Sequence, residues 1–457
     1  MNGRIQSSSA LMLDSCTDIV SRTRELRLEP SCGPLSLRAN FGWTLAGNVV
    51  YTGCQWGILV VLAKLGTAEM LGQFALSLAI VSPILISSGL CLRNIQVTEP
   101  AGKHNFSSYL SLRVLTTLLG LVVVVGVLFF CGYNARINAV ILLIALAKGC
   151  ESVSDIFYGL FQQHERMDRI AVSMMMKGVF SLTALGLGVL LARSLFSGVC
   201  GLLAVWAIVL FVYDARCGKS ILRSACDSES RSQNSRMQRF FQWPLNAPAL
   251  FQLALLALPV GIAMALVSFN ANIPRYFIEH HLGTAQLGMF AAMAYPMVAG
   301  ATVVGALGQS ATPRLSQYYA SGERRAFLSL LLKLVSLASA VGLAAVLVVA
   351  LAGRPILLLL YRPEYAAHVM AFLLLAIATA LSYVASILGY TMNAARCFRA
   401  QMPVFMLTAA VTAVACAVLV PRQQMPGAAM AMSLATLCQG AVSAAVIVHA
   451  LKNGRIK

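Results

Sequence analysis

Residues 65–75 read LGTAEMLGQFA, and residues 282–291 read LGTAQLGMFA. With one residue deleted, Leu65-Gly66-Thr67-Ala68 and the later Leu71-Gly72, Phe74-Ala75 recur as Leu282-Gly283-Thr284-Ala285 and Leu287-Gly288, Phe290-Ala291. In both copies a glycine turn precedes a threonine able to cap a helix. A second glycine follows where a neighbouring helix can approach closely. A proline comes later in each apolar run, Pro83 in the first and Pro296 in the second. Chance likeness between two apolar helices is the competing explanation, but the loop chemistry recurs as well as the hydrophobicity. The string predicts a duplicated chain.

The surrounding sequence is a membrane protein's. Of 457 residues, 59% are hydrophobic and 11% charged, with a mean hydropathy of +0.78. A soluble domain carries roughly a quarter charged residues. This balance excludes an ordinary cytosolic enzyme, a disordered chain and a disulfide-stapled scaffold. A spanning helix needs about 20 mostly apolar residues. Twelve such runs are legible, at 41–63, 71–92, 110–131, 137–160, 171–192, 197–213, 250–272, 285–307, 327–352, 369–391, 402–420 and 427–450. The pattern predicts an all-α polytopic membrane protein of about twelve transmembrane helices, in two six-helix halves around a central cavity. Residues 1–37 are polar, without the apolar core of a secretory signal, and are expected to be a mobile cytoplasmic tail. The halves are expected at 38–213 and 250–451, joined by a polar cytoplasmic linker at 214–249 and followed by a short tail at 452–457. Six spans per half make the copies parallel, related by an axis along the membrane normal.

Lys and Arg number 34 against 16 Asp and Glu, a formal charge of +18. The cations punctuate apolar runs rather than forming aromatic-interleaved basic segments, so no nucleic-acid partner is expected. Taking the N-terminus as cytoplasmic, 26 of the 34 fall on the cytoplasmic side and 7 on the other, with Lys148 inside a run. Such a bias predicts both termini in the cytoplasm. Twelve cysteines form no CxxC pair and no zinc spacing, so neither a disulfide, a metal nor a cofactor is expected. The chain has no GxxxxGK[ST] loop, which excludes ATP hydrolysis by this chain.

One run is unusually charged. Lys148, Glu151 and Asp155 are spaced by three and four residues, and Tyr158 and Gln162 continue the same helix face. A charge at the bilayer centre costs at least ~2.5–3.5 kcal/mol, so the stripe needs a reason. It either lines a polar cavity, with Asp155 or Glu151 as a coupling-ion site, or it pairs internally and binds this helix to its neighbours.

Four stretches carry a family resemblance: LGTAEMLGQFALSLAIVSP at 65–83, ESVSDIFYGLFQQHERMDRIAVSMMMKG at 151–178, NANIPRYFIEHHLGTAQLGMFAAMAYP at 270–296 and GQSATPRLSQYYASGE at 308–323. The chain resembles a Wzx-like polysaccharide or lipopolysaccharide biosynthesis flippase of the multidrug/oligosaccharidyl-lipid/polysaccharide (MOP) exporter superfamily. The resemblance runs from about residue 38 to the end. It implies a MATE-like fold in the bacterial inner membrane. It implies as substrate an undecaprenyl-pyrophosphate-linked oligosaccharide, a repeat unit of O-antigen, capsule or exopolysaccharide. This would be moved from the cytoplasmic to the outer leaflet by alternating access. A glycan polymerase or ligase of the same pathway is the implied partner, and a monomer is the default assembly.

A pyrophosphate calls for cations. Arg113, Lys177 and Lys333 each lie one to two turns inside runs that begin at the cytoplasmic face. Facing inward, they would form a basic vestibule for an anionic head group, with Arg93 and Lys148 contributing to the same field. Facing outward, they would snorkel to lipid phosphates. Arg275, beside Tyr276, either holds the pyrophosphate after reorientation or pairs locally with Glu279. Two other functions compete on the same fold: a multidrug cation exporter, which calls for a net acidic cavity, and a peptidoglycan-precursor flippase, which usually carries extra helices. An enzyme of glycan polymerisation is disfavoured, because the outer loops are short.

Overall fold

A computed structural model describes residues 35–98, 105–229 and 247–453. Among these the chain is helical, without strands. The first half comprises α1 (Leu37–Leu65), α2 (Ala68–Ser88), the short α3 (Leu92–Thr98), α4 (Phe106–Cys131), α5 (Ala135–Gln163), α6 (Met167–Ala192) and α7 (Leu195–Ile208). A π-helical turn, Val209–Asp214, carries α7 into α8 (Ala215–Glu229). The second half comprises α9 (Ala247–Leu282), α10 (Thr284–Ala294), α11 (Met297–Ala320), α12 (Arg324–Leu360), α13 (Val369–Ala394) and α14 (Phe398–Asn453). The expected tail up to residue 34, the linker from 230 to 246 and residues 454–457 lie outside the described residues. Within the first part of the expected linker, Ala215–Glu229 is helix.

Among the described residues, length and composition give eight helices able to cross a membrane, or ten if two bent pairs are each one span, set against twelve apolar runs in the sequence. The difference has physical causes. The 29-residue α5, which carries the charged stripe, is not among those helices. The 56-residue α14 takes in two of the apolar runs, with a non-helical Gln424 (φ 57°) between Pro421 and Pro426. The bent pairs are Leu250–Leu258 with Val260–Leu282, at 48°, and Thr284–Ala294 with Met297–Ala320, at 47°. Pro259 and Pro296 stand at these breaks, where a missing amide donor interrupts the helical ladder.

The halves are built alike. In the first, α1 packs on α6, α2 and α4 pack on α5, and α5 packs on α7. In the second, α9 and α13 pack on α14, and α11 and α12 pack on α13. The repeated string accounts for how they meet. Thr67 caps α2 by accepting from the Met70 amide at 3.2 Å, and Gly283 starts α10 at φ 85°, which a side chain would resist. The two helices then cross at the duplicated glycines. A methyl group placed on Gly72 would collide with the Thr284 carbonyl, and one on Gly288 with the Ala68 carbonyl. Backbone therefore rests on backbone between the halves, as small residues allow in membranes.

Further bonds tie the halves at the same end. Lys64 Nζ donates to the Leu359 carbonyl at 2.7 Å, Arg362 donates to the Lys64 carbonyl at 3.1 Å, and Trp56 Nε1 donates to the Tyr361 hydroxyl at 3.4 Å. Tyr276 donates to the Ala79 carbonyl at 2.5 Å, and Tyr133 to Glu279 at 3.1 Å. Toward the other end, Leu250 and Leu253 of α9 join a buried cluster with Leu92, Tyr109, Leu112 and Ile156 of the first half.

Overpacking a close contact costs about 1–3 kcal/mol. Gly72→Val and Gly288→Val should each lower the thermal midpoint of the detergent-purified protein, whereas Gly53→Ala, which meets nothing within 4 Å, should not. A midpoint for both valine variants equal to wild type would contradict the backbone-on-backbone junction.

Candidate functional site

A cavity of about 430 Å³ lies inside the first half, walled by α1, α2, α4, α5 and α6. Four cations line it, Arg93, Arg113, Lys148 and Lys177, with two carboxylates, Glu151 and Asp155. The α5 stripe provides the central wall. Its 3–4 spacing puts Lys148, Glu151, Asp155 and Tyr158 on one face, and Gln162 continues it to the bonds made by Arg93.

Asp155 is the meeting point. Its Oδ1 accepts from Arg93 Nη1 at 3.2 Å and its Oδ2 from Arg113 Nη2 at 2.9 Å. Arg113 is only 4% exposed. Its Nη1 donates to the Gly89 carbonyl at 2.8 Å, and its Nε is buried without a partner. Arg93 reaches the site from α3, held by Gln162 Oε1 at 3.2 Å from Nε and 2.9 Å from Nη2. Two guanidinium groups thus share one carboxylate, which neutralises only one of them. Asp155 keeps a third of its side-chain surface open to the cavity.

The other charges are paired. Lys148 bonds Glu151 at 2.7 Å, and the Tyr51 hydroxyl donates to the same carboxylate at 2.8 Å. Lys148 also sits 5.2 Å from the Trp206 ring centre, a favourable place for a cation. Lys177 is 2% exposed and pairs at 3.0 Å with Asp214, which is fully buried. Lys177 also donates to the Tyr158 hydroxyl at 3.0 Å, which in turn bonds Ser173. Asp214 reaches inward from the π-helical turn, a local widening often found at functional sites.

The predicted residues therefore divide. Arg93, Arg113, Lys148, Glu151, Asp155 and Lys177 come together. Lys333 does not: it lies exposed on α12, away from this cavity. Arg275 is in the second half, donating to Asn272 Oδ1 at 2.9 Å, and Glu279 instead accepts from Tyr133. Sequence reasoning missed Asp214, because it closes an apolar run and reads as the first residue of a polar linker. Its signal was a carboxylate at the end of one run while Lys177 lies one to two turns into another.

The chain is similar to known proteins in sequence and in fold. The sequence model for "polysaccharide biosynthesis protein" matches residues 37–319. The capsular polysaccharide biosynthesis protein CapF of Staphylococcus aureus is 23% identical over 397 residues, covering 86% of this chain and 95% of CapF. An inward-facing multidrug resistance MATE family transporter of the MOP superfamily superposes with a TM-score of 0.68 at 10% identity, over 90% of this chain and 99% of that one. A mutant of the MATE transporter VcmN of Vibrio cholerae gives 0.61 at 12% identity, over 92% and 97%.

Removing one partner of a buried ion pair costs about 3–5 kcal/mol, while replacing both by apolar residues is often neutral. Lys177→Met and Asp214→Leu should each destabilise the purified protein by that order, and the double variant should recover most of the loss. A double variant as unstable as the sum of the singles would show that the pair is not a closed unit.

Proposed function

The chain belongs to the polysaccharide biosynthesis protein family, with a MATE-like fold, and on that premise we propose that it is a flippase for a lipid-linked oligosaccharide. It is a multi-pass membrane transporter, and in this reading it acts without chemistry on its cargo. The substrate is an oligosaccharide on a polyprenyl pyrophosphate, moved from the cytoplasmic to the outer leaflet of the bacterial inner membrane. Both termini of the chain are then cytoplasmic.

The observation that carries this reading is the shared carboxylate. Arg93 and Arg113 converge on Asp155 alone, so the pair holds one positive charge in excess. A pyrophosphate presents several anionic oxygens to two guanidinium forks and accepts paired hydrogen bonds from each. Asp155 is the resident anion that keeps the arginines in place between cargoes. Tyr51, Ser152 and Tyr158 line the same cavity and add polar wall to it, their hydroxyls bonded within the protein. Transport then follows from rocking the halves about their junction, closing the cavity to one side and opening it to the other. A drug-cation exporter fits less well, since the cavity lining has more cations than carboxylates.

Deleting the gene in its host should trap the lipid-linked oligosaccharide in the cytoplasmic leaflet. A plasmid copy should restore surface glycan, the Arg93→Ala/Arg113→Ala variant should fail to do so at equal expression, and Lys333→Ala should succeed. Normal surface glycan in the deletion strain, together with raised sensitivity to cationic dyes, would overturn the proposal in favour of cation export.

A further inference from the structure

A second cavity, of about 530 Å³, backs onto the charged one. It lies between α2, α4 and the bent α9, and its lining is almost wholly apolar. Its two hydroxyl residues face no ligand need. Ser87 donates to the Ile84 carbonyl at 2.7 Å, and Ser88 to the Leu85 carbonyl at 3.1 Å. Phe269, Ile262 and Leu258 of α9 line one side, and Leu119 and Val123 of α4 another. The 48° break in α9 follows Leu258, so the bend shapes the α9 wall of this groove.

The two cavities share a single stretch of backbone. Along the end of α2, Ser82, Leu85, Ile86 and Gly89 line the charged cavity, while Pro83, Ile84, Ser87, Ser88 and Leu90 line the apolar one. The stretch ends in two consecutive left-handed residues, Leu90 (φ 51°) and Cys91 (φ 49°). Neither is a glycine, so this turn is strained, and such strain clusters at ligand clamps. Leu90 lines the apolar groove and Cys91 the charged cavity. Arg113 is bonded to the Gly89 carbonyl at this same turn.

From this juxtaposition we infer that the groove between α2, α4 and α9 is the seat of the isoprenoid chain of the substrate, while the pyrophosphate occupies Arg93 and Arg113. The inference rests on the lipid-linked reading above and adds to it where the tail goes. A ligand with a strongly anionic head and a long apolar tail needs the two environments side by side. Here one turn of backbone separates them, and the groove has no free hydrogen-bond donor that a sugar would use. Membrane phospholipid is the competing occupant, and it has no reason to choose this groove over other lipid-facing helix surfaces when a polyprenyl pyrophosphate is present.

The test places a photoreactive benzoylphenylalanine at Val123 or Ile262 in the groove, and at Leu118 or Leu343, exposed positions outside its lining. Each protein is reconstituted in phospholipid vesicles with tritiated undecaprenyl pyrophosphate and irradiated. Groove positions should take up label at least several-fold more than the outer positions, and excess unlabelled undecaprenyl pyrophosphate should suppress it. Equal labelling at all four positions, or phospholipid adducts alone in the groove, would overturn the inference. Adding Arg93→Ala/Arg113→Ala separates the two readings. If transport is lost with those arginines but the groove is never labelled, the tail site is wrong and the head site stands. If the groove is labelled but the arginine variant still transports, the head site is wrong and the groove stands.

Discussion

The charged cavity of the first half is arranged around one carboxylate that two arginines share. Asp155 sits in the middle of an apolar bundle, where an unpaired charge is expensive, and Arg93 and Arg113 reach it from α3 and α4. That bond fixes the short α3 against α5, draws Arg113 into burial, and places the Gly89 carbonyl at the wall of the cavity. The remaining charges are balanced locally, Lys148 by Glu151 and Lys177 by Asp214. The net positive character of the cavity therefore comes from a single excess guanidinium, and it is concentrated at Asp155.

The junction between the halves obeys a different constraint. Membrane helices gain nothing from excluding water, so they associate where backbones can touch. The duplicated glycines supply that contact, and the polar bonds of Lys64, Arg362, Trp56 and Tyr133 gather around it. The charged cavity lies inside one half rather than at this seam. A rocking motion about the seam can then change access to the cavity without breaking the ion pairs within it. The bent α9 lies against the first half at the far end, where the apolar groove meets the charged cavity.

Much of this was legible in the sequence, for physical reasons that differ from residue to residue. The repeated string reports a backbone contact directly, because only glycine permits it. The stripe from Lys148 to Gln162 follows from helical spacing alone. The span count was less secure, since α14 merges two apolar runs around Gln424. Depth within a span did not decide which way a cation points. Arg113, Lys177 and Lys333 begin at similar depths, yet the first two turn to carboxylates while Lys333 lies exposed on its helix. The role of Arg93 was visible only as a nearby charge, because it depends on α3 folding back across Asp155 and Gln162. Asp214 was hidden by its place at the edge of a polar stretch.

The central claim is that this cavity carries a pyrophosphate-linked sugar across a bilayer. The most direct measurement uses vesicles holding a radiolabelled lipid-linked oligosaccharide, with and without the purified protein, and a glycosidase that cannot cross the membrane. The account predicts that the protein makes the inner-leaflet pool cleavable, and that Arg113→Gln slows this at least ten-fold. Cleavage no greater than in protein-free vesicles, or an Arg113→Gln protein as fast as wild type, would contradict it.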